Sequence, residues 1–179
     1  REGEYKYEVR EVIPSPADEH IVYDYVPRHI TIQVADVNAA LTATVSFSPD
    51  DTFKNLFVFK PAEPQIQVKT ILKGMRLGAG QFSFELKDLQ NSETVVEQND
   101  VNGDVCFTGL HFDQPGEYHY EVRELIPGSP DRYMVYADDV VHVTIQVTDA
   151  GSGDLAADVN YSKDPPVFYN TYQIRGGIW

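Results

Sequence analysis

The sequence has one cysteine, few basic residues and no long apolar run, and each shortage excludes a class of protein. Cys106 alone cannot form an intrachain disulfide, and between Val105 and Phe107 it is expected to be a buried thiol. The 14 Lys and Arg face 28 Asp and Glu, a net charge of −14, which argues against nucleic-acid binding and against attachment to anionic lipid. No stretch of about 18 apolar residues predicts a membrane span.

An internal repeat organises what is present. The segment Gly3–Ile13 (GEYKYEVREVI) recurs as Gly116–Ile126 (GEYHYEVRELI), with differences only at Lys6/His119 and Val12/Leu125. Downstream, HITIQV recurs as HVTIQV, and FKNLF recurs as FYNTY. Self-similarity over this length predicts that one structural unit is used twice.

The two copies are unequal in extent, because a leader at residues 60–115 precedes only the second. The sequence therefore predicts the C-terminal half of a domain at residues 1–59, a complete domain at residues 60–173, and a tail at residues 174–179. Since Arg1 leads directly into strand-like sequence, we expect the chain to be a piece of a longer protein. Upstream sequence or another chain would complete the half domain, because unpaired edge strands are poorly stable.

Apolar and polar residues alternate with a period of two through most of the chain, and no segment has a convincing helical pattern. Phe82, Phe84 and Leu86 alternate with polar residues, for example, and clusters such as Asn99–Gly103 and Pro127–Pro130 separate the runs. Many short strands with this turn spacing predict an all-β fold of tandem Ig-like β-sandwiches, the first one incomplete.

In each copy of the repeat, one glutamate and one asparagine lie at positions where the period-two pattern predicts an apolar, inward-facing residue. Glu124 follows Tyr120 and Val122 on one face, as Glu11 does in the first copy, and Asn170 and Asn55 each lie between two aromatic residues. A buried carboxyl has a raised pKa and can serve as an acid or base near neutral pH. The plainer interpretations are a surface ion pair for the glutamates and a turn or capping role for the asparagines.

Lys69, in the first strand of the complete domain, is the third candidate. It shares a face with Ile71 and could point inward, although Ile66, Val68 and Leu72 lie on the other face; the alternative is a surface lysine. In a dry core, an uncharged amine could attack an asparagine carbonyl while a protonated glutamate polarises that carbonyl. The product would be a Lys–Asn amide crosslink between the first and last strands.

At these residues the sequence resembles the isopeptide-linkage domains of Gram-positive pilins and adhesins, which have the collagen-adhesin B-type, Ig-like fold. The resemblance covers residues 66–172 and 3–57. It is carried by the ordered set Lys69, Gly74, Phe82–Phe84, Asn99–Gly103, Pro115–Glu124 and Phe168–Tyr172.

The resemblance implies that Lys69 and Asn170 are crosslinked with Glu124 as the catalytic acid/base. Asn55 and Glu11 match the same pattern, but their lysine is absent from the first copy. One departure concerns the lysine, which the pattern places one residue nearer to Gly74, where Thr70 stands. Lys73 is the alternative to Lys69.

The function that the resemblance implies is structural, namely an extracellular pilus shaft or adhesin stalk on the cell surface. Its partners would be other copies of itself or neighbouring domains of the same protein. A host-ligand-binding module on the same fold is the alternative, with contacts through the loops at 14–25 and 127–136. We expect no metal, no cofactor, no nucleic-acid or membrane partner, and no enzymatic turnover beyond the single crosslinking event.

Overall fold

The computed structural model describes residues 1–173, so the predicted tail at 174–179 lies outside the described residues. The chain divides into two compact units, residues 1–58 (unit 1) and the residues from 59 onward (unit 2). Within residues 1–173 all regular structure is β-strand, which confirms the all-β prediction. A helix able to cross a membrane is therefore also absent from this part of the chain.

Unit 1 contains five strands and unit 2 contains nine. The strands of unit 1 are β1 (Gly3–Val9), β2 (Ile21–Val22), β3 (Arg28–Val37), β4 (Ala40–Ser48) and β5 (Leu56–Phe57). Those of unit 2 are β6 (Ile66–Lys73), β7 (Ser83–Asp88), β8 (Thr94–Gln98), β9 (Asp104–Phe107), β10 (Gly116–Leu125), β11 (Met134–Val135), β12 (Val140–Asp149), β13 (Leu155–Tyr161) and β14 (Val167–Tyr172).

Unit 2 is a sandwich of two sheets with strand orders β13-β12-β10-β7-β8 and β11-β14-β6-β9. Alternate residues of the strands face inward; along β12, for example, Val141, Val143, Ile145 and Val147 are all buried. Phe84 of one sheet packs against Phe168 of the other, with ring centroids 5.1 Å apart. This interlayer core matches the predicted Ig-like sandwich.

Cys106 does not belong to this core. Its neighbours Val105 and Phe107 are buried, but Cys106 points to the other face of β9, where it is half-buried beside Gln65 and Gln67. The expectation of a buried thiol was wrong because strand alternation sends adjacent residues to opposite faces.

Unit 1 repeats the second half of unit 2 in the same register. Gly3 pairs with Val34 in the β1–β3 ladder as Gly116 pairs with Val147 in β10–β12, and β2 pairs with β5 as β11 pairs with β14. Counterparts of β6 to β9 are not among the strands of unit 1. Its apolar face is consequently open: Tyr7 is 55% exposed, whereas its counterpart Tyr120 is 6% exposed. The prediction of an incomplete first sandwich is confirmed.

The first and last strands of unit 2 lie side by side and run parallel. β6 pairs with β14 so that Thr70 is opposite Phe168 and Leu72 is opposite Asn170. Two glycines permit the close packing here. A Cβ on Gly74 (φ 88°) would stand 2.2 Å from the Tyr172 carbonyl oxygen, and a Cβ on Gly103 (φ 87°) would stand 2.1 Å from that of Thr70. Only glycine combines this backbone angle with this clearance.

Candidate functional site

The side-chain amide of Asn170 is the centre of a buried polar cluster in unit 2. Its Oδ1 accepts a hydrogen bond from the Ala137 backbone N–H at 2.8 Å. Its Nδ2 donates to Glu124 Oε2 at 2.8 Å and to Thr70 Oγ1 at 3.1 Å. Because a backbone N–H can only donate, the carbonyl oxygen must face Ala137, and this fixes the orientation of the amide. We call these four residues the Asn170 cluster.

Glu124 reaches the cluster because β10 keeps its alternation to its end. Val122 and Glu124 lie on the same inward face, and Glu124 is paired with Phe84 across the β10–β7 ladder. Only 7% of Glu124 is exposed, and its Oε1 is buried without a hydrogen-bond partner among the described residues. Glu124 and Asn170 are therefore in the core, as the sequence predicts, and not at a surface rim.

Burial sets the charge state of Glu124. Desolvation raises its pKa from 4.5 to about 7, and the hydrogen bond from Asn170 opposes this only in part. At neutral pH the carboxyl is therefore present in both its protonated and its ionised form. A group in that condition can give and take protons without a large free-energy cost.

Lys69 does not reach the cluster, and the expectation that it points inward is corrected. Ile66, Val68 and Thr70 form the buried face of β6, whereas Lys69 leaves the opposite face. Its side chain is 44% exposed and its Nζ lies 2.8 Å from Asp104 Oδ1 in an ion pair. Period-two alternation allows only one of Lys69 and Thr70 to face the core, and the packing of Ile66 and Val68 selects Thr70.

Lys73, the alternative lysine, is also outside the cluster. It is exposed at the end of β6, and its Nζ lies 5.2 Å from the centroid of the Tyr169 ring on the outer face of β14. Neither lysine considered from the sequence is thus placed to react with Asn170. The side chain beside the amide is the Thr70 hydroxyl, at the position where the family pattern places its lysine.

The backbone of the neighbouring hairpin fixes Thr70. The Thr70 N–H donates to the Gly103 carbonyl oxygen at 2.8 Å. The hairpin itself is held by Asp100, whose carboxylate accepts hydrogen bonds from the backbone of Asp104 and Asn102, both at 2.8 Å. These bonds, that of Asp104 first, hold the pKa of Asp100 below its usual value. The Asn99–Gly103 motif therefore positions one member of the cluster.

Unit 1 contains the same arrangement without its first strand. Asn55 Oδ1 accepts a hydrogen bond from the Asp24 backbone N–H at 2.9 Å, and Asn55 Nδ2 donates to Glu11 Oε1 at 2.7 Å. Glu11 Oε2 is buried without a partner among the described residues, like Oε1 of Glu124. Asn55 itself is exposed, because no strand of unit 1 occupies the place that β6 holds in unit 2. We call Glu11 and Asn55 the Asn55 pair.

A buried ion pair beside Asn55 was not predicted from the sequence. Arg28 is 5% exposed; it donates to Asp24 Oδ2 at 2.6 Å, and its guanidinium lies 4.7 Å from the centroid of the Phe53 ring. Backbone hydrogen bonds, that from Lys54 first, hold the pKa of Asp24 below its usual value. The pair stabilises the loop whose N–H orients the amide of Asn55.

Backbone donors are the other part of the site that the sequence does not reveal. The N–H groups of Ala137 and Asp24 occupy equivalent positions after β11 and β2, and each faces an asparagine carbonyl. Such a donor would stabilise negative charge that develops on that oxygen during attack by a nucleophile. Only their common position in the repeat, directly after the equivalent tyrosines Tyr23 and Tyr136, is a sequence signal for these two residues.

Both units match the same known protein family. The sequence matches the family model FctA, described as a Spy0128-like isopeptide containing domain, over residues 1–58 and 66–173. A search of curated proteins gives no significant match.

Proposed function

The chain belongs to the FctA family of Spy0128-like isopeptide containing domains, and from this membership we propose that it is a structural part of an extracellular pilus shaft or adhesin stalk of a Gram-positive bacterium. The observation that carries the proposal is the repetition of one side-chain arrangement in both units. In both units a glutamate accepts a hydrogen bond shorter than 3 Å from an asparagine, which is Asn170 within β14 in unit 2 and Asn55, just before β5, in unit 1.

The topology of unit 2 suits a protein that is pulled from its ends. Force applied to the chain enters at β6 and leaves at β14, and these two strands are parallel neighbours. Pulling them apart along their axes loads all their interstrand hydrogen bonds together. Thr70 and Asn170 tie the same two strands through side chains.

The Asn55 pair supports a Lys–Asn crosslink in unit 1, once a strand equivalent to β6 supplies the amine. In that reaction the lysine Nζ forms a bond to Asn55 Cγ, and the bond from Cγ to Nδ2 breaks. An amine proton passes through Glu11 to the leaving nitrogen, which departs as ammonia. The Asp24 N–H stabilises the oxygen on which charge develops, and contact between the groups replaces external activation.

Mass spectrometry of the protein isolated from its source tests this crosslink. A branched peptide should join Asn55 to a lysine with the loss of one ammonia, and Glu11→Ala should remove it. An unmodified Asn55 in the folded native protein would contradict the proposal for unit 1.

Immunogold electron microscopy tests the structural role. Antibodies against residues 1–173 should label fibres or the wall surface of the bacterium; label confined to the cytoplasm would contradict the proposal. Saturable binding to host matrix proteins would instead favour the adhesin alternative. The aromatic residues of the loop at 127–136 argue against that alternative, because Tyr133 packs on Tyr172 and Tyr136 on Phe82.

A further inference from the structure

We infer that the first and last strands of unit 2, β6 and β14, are joined by hydrogen bonds and not by a covalent crosslink. Thr70 is the residue that prevents crosslinking at a site that is otherwise complete for the Lys–Asn reaction. Under load this unit opens and closes again, whereas a crosslinked unit would not extend. The role under load rests on the proposed function; the chemical inference rests on the Asn170 cluster alone.

The cluster contains every group that the reaction needs except the amine. The Ala137 N–H points at the carbonyl oxygen of Asn170, where negative charge would develop. Glu124 lies on the nitrogen that would leave, and it carries a proton part of the time at neutral pH. Water is excluded, since Thr70, Glu124 and Asn170 are at most 7% exposed. These are the features of a preorganised acyl-transfer site.

The hydroxyl of Thr70 occupies the nucleophile's position without the means to react. An alcohol becomes an effective nucleophile when an adjacent base takes its proton. Thr70 Oγ1 accepts a hydrogen bond from Asn170 Nδ2, and among residues 1–173 no carboxylate or imidazole forms a hydrogen bond with it. The oxygen thus stabilises the intact amide as a hydrogen-bond acceptor, and the amide nitrogen stays in place.

A lysine at this position would be able to react. Asn170 lies two residues further along the parallel pair than Thr70, an offset of about 7 Å, which the stem of a lysine side chain can cover. Burial would favour its uncharged form. The lysine Nζ would bond to Asn170 Cγ, the bond from Cγ to Nδ2 would break, and Glu124 would carry an amine proton to the departing ammonia.

Intact-mass measurement on the folded chain is the first test. The natural chain should show no loss of ammonia at Asn170. Thr70→Lys should be lighter than its own formula mass by one ammonia, with the new bond mapped to Asn170, and Thr70→Lys combined with Glu124→Gln should regain the full mass. Thr70→Met, similar in bulk to lysine but without an amine, is the matched control and should keep the full mass.

Two mass results would overturn the inference. One is a natural chain that already lacks an ammonia at Asn170, and the other is a folded Thr70→Lys chain of full mass. These outcomes concern unit 2 alone and do not depend on where the protein is located, so they are distinct from a failure of the proposed function.

Single-molecule stretching of the natural chain tests the reversible opening without any variant. Unit 2 should extend through the segment between Thr70 and Asn170, which are 100 residues apart, and should refold on relaxation. The Thr70→Lys crosslink should remove about 340 Å of this extension, at ~3.4 Å per residue. A natural chain whose unit 2 does not release this length under force, or does not refold, would contradict the inference even if the lysine variant failed to fold.

Discussion

At the scale of single residues, the most consequential feature is the buried carboxyl of Glu124, which can be either protonated or ionised near neutral pH. Glu124 has one oxygen on Asn170 and the other buried without a partner among the described residues. The equivalent Glu11 has the same two environments in unit 1. Burial that is not fully compensated stabilises the protonated carboxyl, so the folding of unit 2 is linked to pH.

The stability of unit 2 should fall as pH rises from about 4.5 to about 7. The pKa of Glu124 is raised on folding, so the folded state holds the proton more tightly; the benefit is complete below the unfolded pKa and is lost through the folded pKa of about 7. The difference between the two limits corresponds to about 3 kcal/mol. Calorimetry between pH 4 and pH 8 measures it.

Glu124→Gln should flatten this pH profile, because the amide cannot ionise, and Glu93→Gln, an exposed position of the same unit, should leave it unchanged. A profile equally steep in natural and Glu124→Gln chains would assign the titration to another group.

The Asn170 amide should contribute far more to stability than the equivalent Asn55. Asn170→Ala removes three hydrogen bonds and leaves Glu124 and the Ala137 N–H buried without partners, which should cost about 3 kcal/mol or more. Asn55→Ala, at an exposed site, should lower the free energy of unfolding by about 1 kcal/mol at most. Urea unfolding compares them, and amide exchange at Ala137 should accelerate only in the first variant. Equal losses of unfolding free energy in the two variants would contradict the prediction that burial makes the Asn170 amide the larger contributor.

At the scale of elements, the parallel pair of β6 and β14 positions the whole cluster. The pair depends on glycines at its margins as much as on apolar side chains, since Gly74 faces the Tyr172 carbonyl and Gly103 faces that of Thr70. The family pattern in the sequence includes both glycines. Their structural reason is the close approach of two backbones, which no other residue permits.

Gly74→Ala should be much more destabilising than Gly109→Ala. Both positions have positive φ, near 88° and 80°, so both substitutions pay a backbone cost of about 1–2 kcal/mol. At Gly109 the added Cβ meets nothing within 4 Å, whereas at Gly74 it meets a carbonyl oxygen at 2.2 Å and must separate β6 from β14. Urea unfolding of the two variants isolates this contact. Similar losses of stability would show that the strand pair tolerates the displacement.

At the scale of the whole molecule, the repeated sequence belongs to a complete sandwich in unit 2 and to an incomplete one in unit 1. Unit 2 has strands on both edges of β10, and unit 1 leaves β1 at the edge of its sheet. Tyr7 and Val9 are 55% and 40% exposed, although their counterparts in unit 2 are buried. A second set of strands therefore decides whether nearly identical sequences form a core.

Hydrogen exchange should be faster in β1 than in β10. The segments Gly3–Val9 and Gly116–Val122 differ only at Lys6/His119, so their intrinsic exchange rates are closely matched. β10 is paired with β12 throughout this segment and with β7 from Tyr120 onward, and it lies in a closed core, whereas β1 is paired only with β3. Mass spectrometry of the two peptides at early times should show lower protection in β1. Equal protection would mean that something covers unit 1 in solution.

The sequence by itself determined the repeat, the strand alternation and two of the polar residues on apolar faces. Glu124 and Asn170 each continue a run of apolar residues at period two, and alternation is a local property that needs no knowledge of the partner strands. The absence of four strands from unit 1 also followed from the sequence, because the leader precedes only one copy.

Only the tertiary structure decided which residue of β6 meets Asn170. Ile66 and Val68 favour one face, but Ile71 and Leu72 are adjacent and spoil the alternation, so sequence parity alone left Lys69 possible. Packing of the two sheets buries Ile66, Val68 and Thr70 together and leaves Lys69 with Asp104 at the surface. The physical reason is that a strand's sequence defines two faces, while the neighbouring sheet selects the one from which water is excluded.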